Sequence, residues 1–171
     1  PLIVLPLALI GFVDDCFSLP SSIRFTIQLI TALVLILYSP LFVFSFTTLP
    51  ILFLLLIFVT GIINFTNFMD GLDGLVSGCM LILFIVFATD LTFPVPFYFV
   101  AGSLAGFLFF NWSPAKVFMG DVGSTFLGAV FAGFLLQSSS WIQAFCFFLV
   151  GFPLFGDAFF CVVRRFLSGE R

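Results

Sequence analysis

The sequence predicts an all-α protein, a polytopic transmembrane helix bundle with about six complete spans and one partial span. Three observations lead there. Hydrophobic residues make up 63% of the 171, charged residues only 8%, and the mean hydropathy is +1.37. A soluble domain carries roughly a quarter charged residues. The apolar residues fall into runs near the length a bilayer requires, about 20 residues. The charges gather in the short segments between those runs.

The first run, Leu2–Val13, is a partial span. Complete spans follow near Ser22–Ser39, Leu49–Phe65, Leu75–Thr89, Val95–Phe110, Val122–Gln137 and Trp141–Val163. Pro153 lies inside the last and predicts a kink. Gly102 and Gly106 form a small-xxx-small pair that favours close helix contact. The 30 Phe residues need no explanation beyond lipid contact and packing between helices. Residues 1–171 read as a single transmembrane domain cut at both ends, because Pro1 opens inside an apolar run and Arg164-Arg165 begins a loop.

Composition also excludes some functions. The net charge is −3 and the pI about 4.4, with no basic stripe for nucleic acid. There is no His, so a histidine base or metal ligand is impossible within the chain. Cys16, Cys79, Cys146 and Cys161 show no paired spacing and read as free thiols.

Counting spans between polar segments places Asp14-Asp15, Asp70 to Asp73, Asn111 to Asp121 and Arg164 on one side of the membrane. All the basic residues, Arg24, Lys116, Arg164, Arg165 and Arg171, share that side. The opposite loops, Pro40–Thr48, Asp90–Pro96 and Gln137–Ser140, carry none. The positive-inside rule makes the polar side cytoplasmic. Of the 8 acids only Asp90 falls on the far side. Topology rules are nearly blind to acids, so their gathering points to a functional site.

Four constellations carry the chemistry. Adjacent carboxylates at Asp14 and Asp15 repel and raise each other's pKa unless a cation is near. The pair suits Mg²⁺ binding, proton uptake or both, although a simple loop also explains it. Asn64, Asn67, Asp70 and Asp73 recur at steps of three, which on a helix aligns them along one face. Gly71 and Gly74 allow a turn or close backbone approach there. In the segment Asn111 to Thr125, Gly120, Asp121, Gly123 and Ser124 precede a helix whose free N–H groups suit a phosphate. Asp121 suits a metal bridging such a phosphate. Lys116 serves either phosphate charge or topology. Asp157 lies buried within the last span, where an acid is functional by default, or else pairs with Arg164. Carboxylates without His or paired Cys fit Mg²⁺ better than Zn²⁺.

With these motifs in view, the chain resembles the polyprenyl-phosphate N-acetylhexosamine-1-phosphate transferases, glycosyl transferase family 4. The resemblance rests on Asp14-Asp15, on Asn67-Phe-Met-Asp-Gly-Leu-Asp-Gly74 and on Pro114-Ala-Lys-Val-Phe-Met-Gly-Asp-Val-Gly-Ser-Thr125, in that order. It covers essentially the whole chain, and the motif context is closer to the O-antigen, lipopolysaccharide-type branch than to the pentapeptide branch. It implies a Mg-dependent phosphoglycosyl transferase, with Mn²⁺ as an alternative ion. Sugar-1-phosphate passes from UDP-N-acetylhexosamine to undecaprenyl phosphate, and UMP leaves. The location implied is the cytoplasmic face of the bacterial inner membrane, within cell-wall or O-antigen synthesis, and a homodimer is compatible with it. The resemblance makes Asp121 the metal ligand, and Asp14 and Asp15 the catalytic pair, acting as base or as positioner of the acceptor phosphate. Asn64, Asn67, Asp70, Asp73, Asn111 and Lys116 become substrate-binding residues, with Asp157 a further candidate. The family's early helices and its His-containing motif lie outside these residues, so the 171 residues alone are expected to be inactive. Competing readings are a proton- or ion-coupled transporter using the intramembrane acids, and an inactive assembly subunit.

Overall fold

A computed structural model describes residues 2–90 and 95–169. It is all-helical over those residues. Seven α-helices run in chain order: α1 (Leu5–Phe17), α2 (Ser21–Leu37), α3 (Leu49–Met69), α4 (Leu75–Asp90), α5 (Val95–Asn111), α6 (Gly120–Leu136) and α7 (Trp141–Ser168). Short 3₁₀ turns occupy Leu2–Val4 and Phe46–Thr48. The expected far-side loop Asp90–Pro96 falls partly outside the described residues, and Pro1 and Arg171 fall wholly outside.

The helix bounds follow local chemistry. Pro6, Pro50 and Pro96 sit in the first turns of α1, α3 and α5, where no intrahelical N–H is needed. Ser18 ends α1 in the left-handed region at φ 50°, with its N–H on the Asp14 carbonyl at 2.8 Å. The α7 helix continues through Pro153.

Two helices are long and apolar enough to cross a membrane. Phe46–Met69 reaches a mean hydropathy of 2.5 and Trp141–Ser168 reaches 2.1. Only 22% and 28% of these windows are buried, so neither is the enclosed core helix of a soluble protein. The α2, α5 and α6 helices have 17 residues each and α4 has 16. These sit near the lower edge of spanning length, about 17 residues. Exposed Phe53, Leu54, Ile82, Phe99, Phe109, Ile142 and Phe160 give the outer faces the apolar character that lipid favours.

The chain forms two compact units. The first comprises Pro1–Asn67 and Gly120–Phe148. Within it α6 packs on α1 and α2. Its Ser124, Gly128, Phe131 and Leu135 are all buried, a repeat of four, three and four residues that follows one helix face. Two glycines set the spacing. A Cβ on Gly11 would lie 2.7 Å from the Asp121 carbonyl carbon and the Val122 Cα. A Cβ on Gly128 would lie 2.9 Å from the Ile63 Cα and Thr66 Oγ1. Backbones of α1 and α3 therefore approach α6 as no larger residue would permit.

The second unit comprises Phe68–Met119 and Leu149–Arg171. Its centre is the α4–α5 pair, with Val76, Met80, Phe84 and Phe87 buried along α4 and Ala101 and Leu104 along α5. The Phe84 and Phe97 rings stack at 6.2 Å. Among the described residues, the close contact expected at Gly102 and Gly106 is absent. Both face open space, with nothing within 4 Å of a built Cβ, because Ala101 and Leu104 turn the other side of α5 inward. All four cysteines are free, as the spacing implied.

Candidate active site

In the first unit, Asp14, Asp15, Asn64, Asn67 and Asp121 come together around the start of α6. The centre is a carboxylate pair bridged by one cation. Arg24 Nη1 donates to Asp14 Oδ2 at 2.5 Å and also to Asp121 Oδ2. The outer oxygens are held as well. Leu19 N–H donates to Asp14 Oδ1 at 2.6 Å, and Asn67 Nδ2 donates to Asp121 Oδ1 at 2.7 Å. The Asn67 amide also reaches Ser124 Oγ at 2.9 Å, tying α3 to the first turn of α6. Partial desolvation pushes the Asp14 carboxyl up, but the Leu19 N–H, the Asp121 side chain and the Arg24 guanidinium outweigh it and leave its pKa below the usual value. Asp14 is therefore a carboxylate at neutral pH and a weak proton acceptor.

Asp15 has a different task. Its carboxylate accepts the Asp121 N–H at 3.2 Å and the Val122 N–H at 3.4 Å. It caps the N-terminus of α6 from another helix, where a negative charge is favoured. This corrects the expectation of free N–H groups waiting there for a phosphate: Asp15 already accepts from two of them. Gly120 makes room for the cap. Its φ is +64°, and a Cβ there would lie 2.5 Å from Asp15 Oδ2.

A pocket of about 400 Å³ opens beside this cluster. Arg24, Asn64, Asn67, Asp121 and Thr125 give it a polar side, and Leu7, Ile10 and Phe25 an apolar one. Gln28 is buried in its wall and accepts Asn64 Nδ2 at 2.9 Å. Arg24, expected only as a topology marker, and Gln28 join the site as well. The signal was present: both lie one turn apart on an apolar helix, where polar groups are costly without a task.

Asp70, Asp73, Asn111 and Lys116 belong to the second unit. The single helical face expected for Asn64 through Asp73 stops at Met69, and Asp70 and Asp73 lie in the turn before α4. Gly74 takes φ +73° at the end of that turn, immediately before α4, where the chain changes direction. Asp73 Oδ2 accepts the Ala115 N–H at 3.0 Å. Asn111 is buried, and its Oδ1 accepts Gly74 N–H at 3.1 Å and Ser77 Oγ–H at 2.7 Å. Its Nδ2 donates to the Val117 carbonyl at 3.0 Å. These bonds make Asn111 an internal clamp on the turn. Asn111→Ala should lower stability by about 2–3 kcal/mol, since it leaves buried partners unpaired. A melting temperature in detergent equal to wild type would overturn that.

Lys116 is exposed and forms no ion pair among the described residues. Asp157 was expected to be buried or paired with Arg164. Its side chain is exposed on α7, and no ion pair with Arg164 forms among the described residues, because Arg164 lies about two turns further along the helix, beyond the three- and four-residue spacings that bring side chains together. Arg165 instead lies over the Phe68 ring at 5.7 Å.

Helices with largely exposed apolar faces, carrying a carboxylate cluster at their ends, define a membrane protein with a polar, carboxylate-lined site. Comparison with known proteins narrows this. The model of glycosyl transferase family 4 matches residues 2–139, and the chain belongs to that family. It is 36% identical over 162 residues to a phospho-N-acetylmuramoyl-pentapeptide-transferase of Prochlorococcus marinus strain MIT 9312, covering 76% of this chain and 44% of that one. It is 30% identical over 184 residues to a probable undecaprenyl-phosphate N-acetylglucosaminyl 1-phosphate transferase of Bacillus subtilis, covering 94% and 50%. A phospho-N-acetylmuramoyl-pentapeptide-transferase of Staphylococcus epidermidis is 35% identical over 173 residues, covering 84% and 53%. The chain thus spans about half the length of the curated relatives it matches.

Proposed function

We propose that the protein transfers a sugar-1-phosphate from a UDP-N-acetylhexosamine to undecaprenyl phosphate, with Mg²⁺, at the cytoplasmic face of a bacterial inner membrane. The observation that carries this is the Asp14–Asp121 pair, two carboxylates converging on one cationic nitrogen beside a pocket, in a member of this family. An oxygen of the lipid phosphate attacks the sugar-bearing phosphorus of the nucleotide sugar. The new P–O–P bond forms as the bond to UMP breaks, and UMP leaves with that electron pair.

The residues fit the ion. Among the described residues no three His, Cys, Asp or Glu side chains form a complete cage. Mg²⁺ takes one or two carboxylates and completes its shell with water and phosphate oxygens, and Asp14 and Asp121 offer two. When bound, the ion offsets the repulsion between donor and acceptor phosphates. Asn67 orients Asp121, and Asp15 fixes the α6 start from which Asp121 projects. The lowered pKa of Asp14 suits positioning better than proton removal, and a phosphate acceptor is already largely ionised. The apolar wall of Leu7, Ile10 and Phe25 suits a lipid-borne acceptor entering beside a polar site.

The cytoplasmic orientation draws support from the basic residues gathered on the carboxylate side. The relatives' names divide between phospho-N-acetylmuramoyl-pentapeptide and N-acetylglucosaminyl donors, and those described above are not named for O-antigen synthesis. A cell-wall type glycan is the reading they favour. The test is an assay of the purified full-length protein with undecaprenyl phosphate, Mg²⁺ and radiolabelled UDP-sugars of both kinds. Lipid-linked label and UMP in equal amounts are expected, and both should vanish with a chelator. Uptake of an ion or solute into vesicles without any UMP release would favour a carrier and sink this reading.

A further inference from the structure

The Asp14–Asp121 pair is already occupied by a cation of the chain's own, and this has consequences for any ion that binds there. Each carboxylate has one oxygen committed elsewhere: Asp14 Oδ1 to the Leu19 N–H and Asp121 Oδ1 to the Asn67 amide. The two remaining oxygens, Asp14 Oδ2 and Asp121 Oδ2, both accept from Arg24 Nη1. Asp14 Oδ2 and Asp121 Oδ2 are the oxygens that converge on one point, so an ion bridging the two side chains there meets the Arg24 guanidinium. We propose that Arg24 is a resident counter-cation that competes with the divalent ion for the Asp14–Asp121 pair, and that ion binding moves its guanidinium off both carboxylates.

This rests on the metal reading of the preceding section and adds a role for a residue that reading does not use. The physical need is clear. Two carboxylates sharing one nitrogen repel strongly when no cation lies between them. The ion-free protein would carry that repulsion through the helix ends of α1 and α6, and Arg24 removes it. Release is also feasible. The Arg24 side chain is 37% exposed, against 10% for Asp14 and 24% for Asp121, so the arginine is the freest of the three. It lines the pocket of about 400 Å³, which offers room for the displaced head group. A guanidinium on a flexible stem remains charged wherever it moves.

The experiment measures Mn²⁺ binding by the electron paramagnetic resonance signal of the free ion. Wild type, Arg24→Gln and Asp121→Asn are compared in the same detergent. In parallel, the rate of Arg24 modification by phenylglyoxal is followed in wild type by peptide mass spectrometry, with Arg164 and Arg165 as internal references. Arg24→Gln should bind Mn²⁺ about tenfold more tightly or better, the scale expected when one near charge is removed. Saturating Mn²⁺ should speed Arg24 modification several-fold in wild type and leave Arg164 and Arg165 unchanged. Tighter binding with no change in Arg24 reactivity would reduce the effect to charge at a distance and overturn displacement. Equal or weaker binding by Arg24→Gln, with binding lost in Asp121→Asn, would overturn competition while leaving the metal site standing. Unchanged binding by Asp121→Asn would sink the metal reading and this proposal with it. If Arg24→Gln does not fold, the wild-type modification rate decides alone.

Discussion

Asp121→Asn in the full-length protein is expected to reduce turnover by about 10³-fold, roughly 4 kcal/mol of transition-state stabilisation, while leaving the protein folded. The side chain is nearly isosteric, and its contacts divide cleanly. The Asn67 amide donates to Oδ1, which an amide oxygen still supplies. The backbone N–H of residue 121 still reaches Asp15, so the α6 cap survives. What disappears is the charge and the Oδ2 acceptor facing Arg24. Arg24 keeps Asp14, and loss of one half-exposed ion pair costs less than about 1 kcal/mol. Product formation and melting temperature, measured on one preparation, separate the two effects. Turnover within a few-fold of wild type would remove Asp121 from the chemistry. Asp15→Ala makes the contrast. It removes two N–H bonds at the α6 start, so its effect should appear first as lost stability, about 1 kcal/mol.

How much of this could be read from the chain alone depends on the range of the interaction. Helix positions were legible because apolar runs and Pro residues act locally. The runs proposed from sequence match α2, α4 and α5 within about two residues at each end, the scatter normal for helix boundaries. Clustering of Asp14, Asn67 and Asp121 was legible in outline, since each is a polar group at the end of an apolar run. The roles were less so. Asp15 pairs with the backbone 106 residues away, and nothing in its neighbourhood announces a cap rather than a ligand. Arg24 looked like a topology marker because its partners, Asp14 and Asp121, lie on two other helices. The expected face from Asn64 to Asp73 ends at Met69, because a three-residue spacing of polar groups fits a turn as well as a helix, and Asp70 to Gly74 form the turn before α4. The Gly102 and Gly106 pair failed because a small residue permits contact without requiring a partner.

Gly11→Ala should lower stability by about 1–3 kcal/mol and disrupt ion binding at once. The added carbon would lie 2.7 Å from the Asp121 carbonyl carbon and oxygen and from the Val122 Cα. All three are backbone atoms, so no rotamer change relieves the contact, and α1 and α6 must separate. Asp14 and Asp15 ride on α1, three and four residues beyond Gly11. Asp121 is the second residue of α6. Separation therefore stretches the Asp15 cap and the Arg24 bridge together. Gly61→Ala is the matched control. Gly61 also sits inside a helix, α3, but nothing lies within 4 Å of a built Cβ. There the gain in helix propensity, up to about 1 kcal/mol, should leave stability unchanged or raised. Melting and Mn²⁺ titration of the two variants side by side distinguish a steric effect at the α1–α6 contact from a general cost of filling helix glycines. If Gly11→Ala melts and titrates like Gly61→Ala, the close backbone approach is not what holds Asp14, Asp15 and Asp121 in one site.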